Sequence, residues 1–510
     1  MLAKVYSGAV YGVTAFTVEI EVNAGRGDPQ IITVGLPDAA VKESKDRVWT
    51  ALQNSGFKPD TGRITVNLAP ADIKKEGPVY DLPIAAGLLC AAGVETLPLL
   101  NRYALLGELA LSGEVRRVKG VLPIALKMKD AGLKGILVPA DNAEEAGVVA
   151  GLEVHGVKNL REAVEFLSGR LTLAPFSPKD PDWFLSSQNT DEDFADIKGQ
   201  ECAKRAVEVA VSGGHNILMV GSPGAGKTML ARRIPSILPA MTLEEALDAT
   251  RIHSIAGQLK SHQPLISQRP FRAPHHTISD AGLLGGGTHP APGEVSLAHR
   301  GVLFLDELPE FHRNVLEVLR QPLEDGHVSI ARANATVDFP SKFMLVAAMN
   351  PCPCGYAGDP KRACRCTETQ RRAYKNKISG PLLDRIDIHI EVPPVEYAQL
   401  SSSAKGESSE TIRQRVQQCR RIQQERFKHS RKVTCNAEMS TRDVQTHCRL
   451  DSGAEEIVKL AMNELHLTAR AYTRILKVAR TIADMDGAAT IAQKHVFEAV
   501  QYRSQDRTKW

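Results

Sequence analysis

The sequence predicts an α/β protein with a parallel-sheet core and a helical C-terminus. Three observations carry that prediction. Short apolar runs, among them Asn216-Ile-Leu-Met-Val220, Gly301-Val-Leu-Phe-Leu305 and Phe343-Met-Leu-Val-Ala-Ala348, recur between helical stretches, as buried parallel strands do. The first run leads into Gly221-Ser222-Pro223-Gly224-Ala225-Gly226-Lys227-Thr228, which satisfies G-x-x-x-x-G-K-[ST] at every fixed position. From Asp451 to Gln501 the pattern is helical, punctuated by Gly487.

At 510 residues the chain has room for about three domains of ~150 residues each. Its 43% hydrophobic and 24% charged residues are ordinary for a globular protein, and a net charge of +4 names no partner. The N-terminus lacks a signal-peptide core, and no apolar run approaches the ~20 residues of a membrane span. The expected location is therefore the cytoplasm. Nine cysteines in such a chain argue against a disulfide framework.

In chain order, Ala15–Val22 alternates like a strand, Ile31–Gly35 and Ile64–Leu68 read as two more, Asp81–Gly93 as a buried helix, and Gly135–Pro139 as a buried strand. This is an α+β domain spanning 1–170. Pro175, Pro178, Pro181 and Ser186-Ser-Gln-Asn-Thr190 mark 171–195 as a linker. The nucleotide-binding core then spans 196–395 and a helical domain 396–510, with a flexible loop at Leu400–Ser409 between the two.

Lys75-Glu-Gly-Pro78, and the stretch from Gly113-Glu-Val115 through Ala131–Pro139 to Asn142, resemble the proteolytic domain of Lon-type proteases, whose fold is like domain 2 of ribosomal protein S5. The resemblance aligns that family's catalytic serine with Val79 and its lysine with Leu122. Neither side chain offers a nucleophile or a base, so the resemblance implies the fold and argues against peptidase chemistry.

The loop Gly221–Thr228 lies between a strand and the helix that Met229–Ile234 begins, so its backbone N–H groups face phosphate. Lys227 is expected to reach the β/γ-phosphates of ATP, and Thr228, with Asp306 at the end of the next apolar strand, to hold Mg²⁺. Glu307 is the expected general base for water. Asn350 closes another buried strand and is placed to orient that water or sense the γ-phosphate. Between these motifs, 251–299 is an insertion holding Phe271–Thr277; the adjacent His275 and His276 have poor spacing for one metal and read as loop or interface residues. Val328–Phe339 reads as a β-hairpin. Its Arg332 is a DNA-backbone candidate, and a solvated hairpin face is the alternative.

Cys352, Cys354, Cys364 and Cys366 form two C-x-C pairs. Four thiolates so clustered suit a structural Zn²⁺; reduced, unligated thiols are the alternative. Basic residues crowd Lys361–Lys377 and Thr411–Lys432. Each run is a candidate for phosphate-backbone contact or a solvated face.

Pro381-Leu-Leu-Asp-Arg385-Ile-Asp387 and Thr468-Ala-Arg470-Ala-Tyr-Thr-Arg474 complete the series. In order, these motifs resemble the AAA+ branch containing magnesium chelatase motor subunits and minichromosome-maintenance helicases. The resemblance makes Asn350 sensor 1, Arg385 a trans-acting arginine finger and Arg470 sensor 2, with Arg474 the lesser candidate. A finger in trans implies a ring, expected to be a hexamer. With the Lon-like segment and Asn350-Pro-Cys-Pro-Cys-Gly355, the whole chain resembles the magnesium-chelatase-like ATPases known as ComM or YifB. That resemblance implies a DNA motor promoting branch migration during natural transformation, its partners being single-stranded or branched DNA. A protein or metal-insertion remodeller is the alternative, and an ATP-dependent protease the least supported reading.

Overall fold

The computed structural model describes residues 2–25, 30–59, 62–177, 192–260, 264–287, 290–332, 335–359, 361–395, 406–430, 433–464 and 467–503, leaving out the side chains of Arg332 and Ala335. It divides into two compact units. One comprises Met1–Phe184, Ala246–Ile266 and Ala331–Phe339; the other comprises Leu185–Glu245, Ser267–Ile330 and Pro340–Trp510.

The N-terminal unit is built on seven strands: β1 (Leu2–Tyr11), β2 (Thr14–Ala24), β3 (Gln30–Val34), β4 (Arg63–Ala69), β5 (Tyr103–Leu105), β6 (Gly135–Pro139) and β7 (Glu153–Val157). They pair in the order β3-β4-β2-β1-β5-β6-β7. The antiparallel register of β1 and β2 runs from Leu2↔Asn23 to Tyr11↔Thr14. The alternation that predicts β2 sends Val18, Ile20 and Val22 into the core without exposure. Helix α1 (Ala39–Asn54) opens where the Asp38 carboxylate accepts the Val41 N–H at 2.7 Å. Helix α2 (Asp81–Ala91) is buried along almost its whole length, as its unbroken apolar composition predicts.

Val79 sits in the turn Pro78–Tyr80 and Leu122 in the first turn of α3 (Val121–Asp130). Both belong to one apolar cluster, Leu122 fully buried and Val79 half-buried. The Lon-like positions thus serve packing.

Residues 246–266 belong to this unit through polar contacts at 117–145. The Ser254 hydroxyl donates to Glu145 at 2.5 Å, Gly120 N donates to Ser254 O at 3.3 Å, and Arg117 donates to Leu259 O at 3.0 Å.

The second unit holds β8 (Ile217–Val220), β9 (Phe271–Arg272), β10 (Val302–Leu305), β13 (Met344–Met349) and β14 (Ile388–Glu391), in the order β9-β10-β13-β8-β14 and parallel throughout. Strands β11 (His327–Arg332) and β12 (Ala335–Pro340) form a separate two-stranded sheet; the predicted turn at 333–334 lies outside the described residues. Every residue of β8, β10 and β13 is buried. The strand order brings their C-terminal ends together, where a parallel sheet offers a ligand crevice.

Helices α4 (Glu201–Gly213) and α5 (Lys227–Ile237) flank this sheet in sequence, and α6 (Glu368–Lys375) follows β13. The C-terminal region contributes α7 (Ser409–Phe427), α8 (Ser452–Glu464), α9 (Ala469–Met485) and α10 (Gln493–Gln501). The stretch read as helical throughout is three helices: Thr468 caps the start of α9 through Ala471 N at 3.2 Å, and Gly487, at φ +66°, follows its end. Most of the predicted linker, 178–191, lies outside the described residues, as does 400–405 of the predicted loop. The rest of that loop runs into α7, whose cap is Ser408.

Helix α9 is tied to the sheet by Arg474, which pairs with Asp387 and donates to Arg385 O at 3.1 Å. Asp387 also accepts the Asn216 N–H at 3.1 Å and lies 3.5 Å from His215 Nδ1. Burial alone would raise its pKa; Arg474 and His215 instead hold it far below the usual carboxylate range.

Candidate nucleotide site

Gly221 leaves β8 so close to the exit of the neighbouring strand β14 that an added Cβ would lie 2.3 Å from Val392 O. Gly224 and Gly226 have φ of +79° and +93°, a region an L side chain adopts only with strain. These three glycines explain why the loop turns tightly enough to present its N–H groups at the start of α5.

Lys227 is buried at the head of α5. Its ammonium donates to Gly221 O at 2.7 Å, Ser222 O at 3.1 Å and Asn350 Oδ1 at 3.2 Å. Desolvation lowers its pKa, opposed by Asp306 and Glu307. The Thr228 hydroxyl donates to Asp306 Oδ2 at 2.7 Å, and Asp306 Oδ1 accepts the Glu307 N–H at 2.9 Å. A hydroxyl and a carboxylate in contact form the donor pair a divalent cation takes. Thus Lys227, Thr228, Asp306, Glu307 and Asn350, drawn from the ends of three strands and one helix, converge on one loop.

Glu307 adopts φ +53°, uncommon for a non-glycine residue and a mark of functional sites. Its side chain is 57% exposed, with Oε2 3.7 Å from His276 Nδ1. The His276 ring stacks on His275 at 4.1 Å between centroids and meets Phe311 edge-on at 6.4 Å.

Three further residues reach this site that motif reading passed over. Gln200, itself at φ +61°, donates its side-chain amide to Ala225 O and, at 3.4 Å, to Pro393 O. Tyr374 of α6 is buried near Asn350, and burial pushes its phenol pKa up. Asp359 lies near Ser222, and N–H donation from Lys361, with help from Ser222, holds its carboxyl below the usual range. The tyrosine within a basic stretch was a signal in the sequence, whereas the positive φ at Gln200 appears only after folding.

Arg385 lies at the opposite end of the sheet. Its carbonyl accepts from Asn216 Nδ2 at 3.0 Å, just before β8, whereas the phosphate loop follows β8. The four residues of β8 separate the two ends by ~13 Å at ~3.3 Å per residue, beyond the side chain's reach. The buried guanidinium pairs with Glu324 Oε1 at 2.5 Å and donates to Pro381 O at 2.6 Å. Its local partner is therefore Glu324, not the neighbouring Asp384 or Asp387. Arg385, and more weakly Arg470, pull the Glu324 carboxyl below its usual range, and Arg470 is itself exposed. Arg474, pinned to Asp387, is committed to structure.

The four clustered cysteines approach one another closely: Cys352 Sγ is 3.4 Å from Cys354 Sγ and 3.6 Å from Cys364 Sγ, with Cys354 to Cys364 at 3.5 Å. All four sulfurs lie within 4.8 Å of one another. N–H donation from Tyr356 and Arg365 lowers the Cys354 thiol to about 6.

The basic runs are partly internal. Lys377 meets Glu310 at 3.3 Å, and Arg362 donates to Tyr356 Oη at 2.8 Å. On α7, Arg415 pairs with Glu208 and Glu407, Arg426 with Asp484 and Arg413 with Glu410, while Arg420 donates to Val211 O. Most of that helix's cations bind protein groups. Arg332 ends β11, and its side chain lies outside the described residues.

Comparison with known proteins fits this geometry. Family models described as magnesium chelatase subunit ChlI match residues 193–400, subunit ChlI of Mg-chelatase 20–142, and the ChlI C-terminal region 406–503. The competence protein ComM of Haemophilus influenzae is 45% identical over 511 residues, covering 99% of this chain and 98% of that one. The YifB protein of Escherichia coli is 44% identical over 508 residues, covering 99% and 98%. Lon protease 2 of Bacillus subtilis is 27% identical over 175 residues, 31% of each chain.

Proposed function

Because the chain belongs to the magnesium-chelatase-like AAA+ family that includes ComM and YifB, we propose that it is a ring-forming ATPase that drives branch migration of DNA. The observation that carries the reading is the convergence of Lys227, Thr228–Asp306, Glu307 and Asn350 at the ends of β8, β10 and β13. The loop N–H groups and Lys227 bind the phosphates, Lys227 exchanging its carbonyl partners for phosphate oxygens. Thr228 and Asp306 are the residues that would hold Mg²⁺, which when bound neutralises developing phosphate charge. Glu307 accepts the water's proton, and Asn350 orients that water while sharing Lys227.

Arg385 cannot serve its own site from the far end of β8. In a ring, most simply a hexamer, it serves the neighbour's nucleotide, with Arg470 beside it. Arg385 leaves Glu324 as the adjacent subunit docks, so ATP binding and assembly favour one another.

The DNA reading is supported by full-length likeness to a protein named for competence, and it implies work on single-stranded or branched DNA in the cytoplasm during natural transformation. The family-model description favours a second reading, a remodeller of magnesium-chelatase type acting with partner subunits. Steady-state ATPase rates with and without single-stranded and forked DNA separate the two, with Glu307→Gln as blank. Salt-sensitive stimulation by DNA is the expected result; a rate indifferent to every DNA tested refutes the motor reading.

Among the described residues no helix is long and apolar enough to cross a membrane. Peptidase activity is not proposed, since Val79 and Leu122 supply neither half of a serine–lysine dyad.

A further inference from the structure

Between Met349 at the end of β13 and Glu368 at the start of α6, the described residues 350–359 and 361–367 form no helix or strand. Yet this segment braces the phosphate loop at three points. Asn350 Oδ1 accepts from Lys227 Nζ at 3.2 Å. Gly355, at φ +86°, packs so tightly that an added Cβ would lie 2.5 Å from the Pro223 ring. Asp359, fixed by N–H donation from Lys361 at 2.8 Å and Arg362 at 3.0 Å, stands close enough to Ser222 for that side chain to help draw its carboxyl below the usual range. Nothing in the segment's regular structure holds these contacts in place. What spans it is the cluster of four sulfurs.

We propose that Cys352, Cys354, Cys364 and Cys366 bind one Zn²⁺ as a closed tetrathiolate, and that this metal clamps the phosphate loop, so that zinc loading governs nucleotide affinity. The sulfur geometry fits. A tetrahedral site with Zn–S of ~2.3 Å places sulfurs ~3.8 Å apart, and here the shortest separations are 3.4, 3.5 and 3.6 Å with all four within 4.8 Å. Four sulfur ligands leave no open coordination position, so the role is structural. Each thiol releases its proton on ligation, and the cross-link ties Cys352, two residues past Asn350, to Cys364 and Cys366 just before α6. Gly355 and Asp359 lie inside the loop so closed. The metal therefore holds Asn350, Pro223 and Ser222 in one arrangement without touching nucleotide. The coupling rests on Gly221–Thr228 being the nucleotide site.

The test uses the full-length chain purified without chelator. Elemental analysis is expected to give one zinc per chain. Stripping with an organomercurial and chelator should weaken binding of a fluorescent ADP analogue at least tenfold, and Zn²⁺, but not additional Mg²⁺, should restore it. Cys364→Ser should lose both zinc and affinity. Because that variant could fail to fold, Gly355→Ala is the second probe: it should keep its zinc and its circular dichroism yet lose affinity at least tenfold, because its Cβ displaces Pro223. Absence of zinc, or disulfides in its place, overturns the metal site. A folded, stripped chain with unchanged affinity, or Gly355→Ala with wild-type affinity, overturns the clamp. A zinc-loaded chain that binds no nucleotide overturns the reading of the loop itself, and the clamp with it.

Discussion

Arg385→Ala separates a structural arginine from one that acts across a subunit boundary, because the two roles differ in size. Within its own chain Arg385 makes an ion pair with Glu324, whose side chain is 49% exposed, and a hydrogen bond to Pro381 O. A pair with so exposed a partner contributes about 0.2–1 kcal/mol and the hydrogen bond about 1 kcal/mol. Truncation should therefore cost ~2 kcal/mol of stability and leave a folded protein. A trans-acting finger, by contrast, contributes a factor of about 10³–10⁵ in turnover, or ~4–7 kcal/mol of barrier. The expected outcome is a small drop in the denaturation midpoint, near-normal nucleotide binding, and ATP turnover reduced at least a thousandfold. Position in trans is read by mixing. Lys227→Ala chains keep Arg385 but cannot bind nucleotide, and Arg385→Ala chains keep an intact loop. Equimolar mixing should restore measurable turnover at interfaces where the first faces the second. A variant that keeps turnover within about threefold of wild type, or a mixture as inactive as its parts, refutes the assignment.

Lys227→Ala removes the ammonium that bridges the loop to Asn350 and should abolish binding of an ATP analogue in equilibrium titration, with the fold kept by circular dichroism. Glu307→Gln removes the proton acceptor alone, so it should bind ATP, accumulate as an assembled ring in sizing columns, and turn over at least a hundredfold more slowly. Asp387→Asn should cost about 3 kcal/mol in urea unfolding, because it leaves Arg474 facing a neutral amide in a buried site. It should also flatten acid denaturation. The depressed pKa of Asp387 means its stabilisation is complete above the unfolded value near ~4 and is lost as pH falls below it. The wild-type chain should therefore lose stability more steeply than the variant below about pH 4.

The convergence of the candidate nucleotide site was legible because its signals are local. Gly221, Gly224 and Gly226 are required by backbone conformation and close approach, and Asp306 and Asn350 lie one residue, Glu307 two, past a buried apolar strand. What was not legible depends on chain segments brought together only by folding. Glu324, the partner of Arg385, lies 61 positions away by subtraction of the two residue numbers. The cations of α7 read as a free basic face, yet Arg415 and Arg426 find Glu208 and Asp484 on other helices, and Arg415 also Glu407 just before α7. His276 read as a loop residue because nothing in Phe271–Thr277 announces Glu307. Residues 246–266 belong with the N-terminal unit through Ser254 and Glu145, a pairing that neither segment's periodicity encodes.

The same logic bears on why a degenerate N-terminal unit keeps its fold. Leu122 is a core residue of α3 whose N–H is held by Glu145 at 3.0 Å, and Glu145 in turn accepts from Asn142 at 3.0 Å and from Ser254. Asn142 also bonds both backbone groups of Val118, each at 3.0 Å. A lysine at 122 would bring an ammonium into an apolar cluster whose nearby acid already has three donors. It would ionise there only at a cost of several kcal/mol, or stay neutral. The polar network is therefore committed to fastening 246–266 within this unit. At the positions of the Lon-like dyad this unit holds packing and attachment, and the residues arranged for phosphate chemistry converge on the loop at the end of β8.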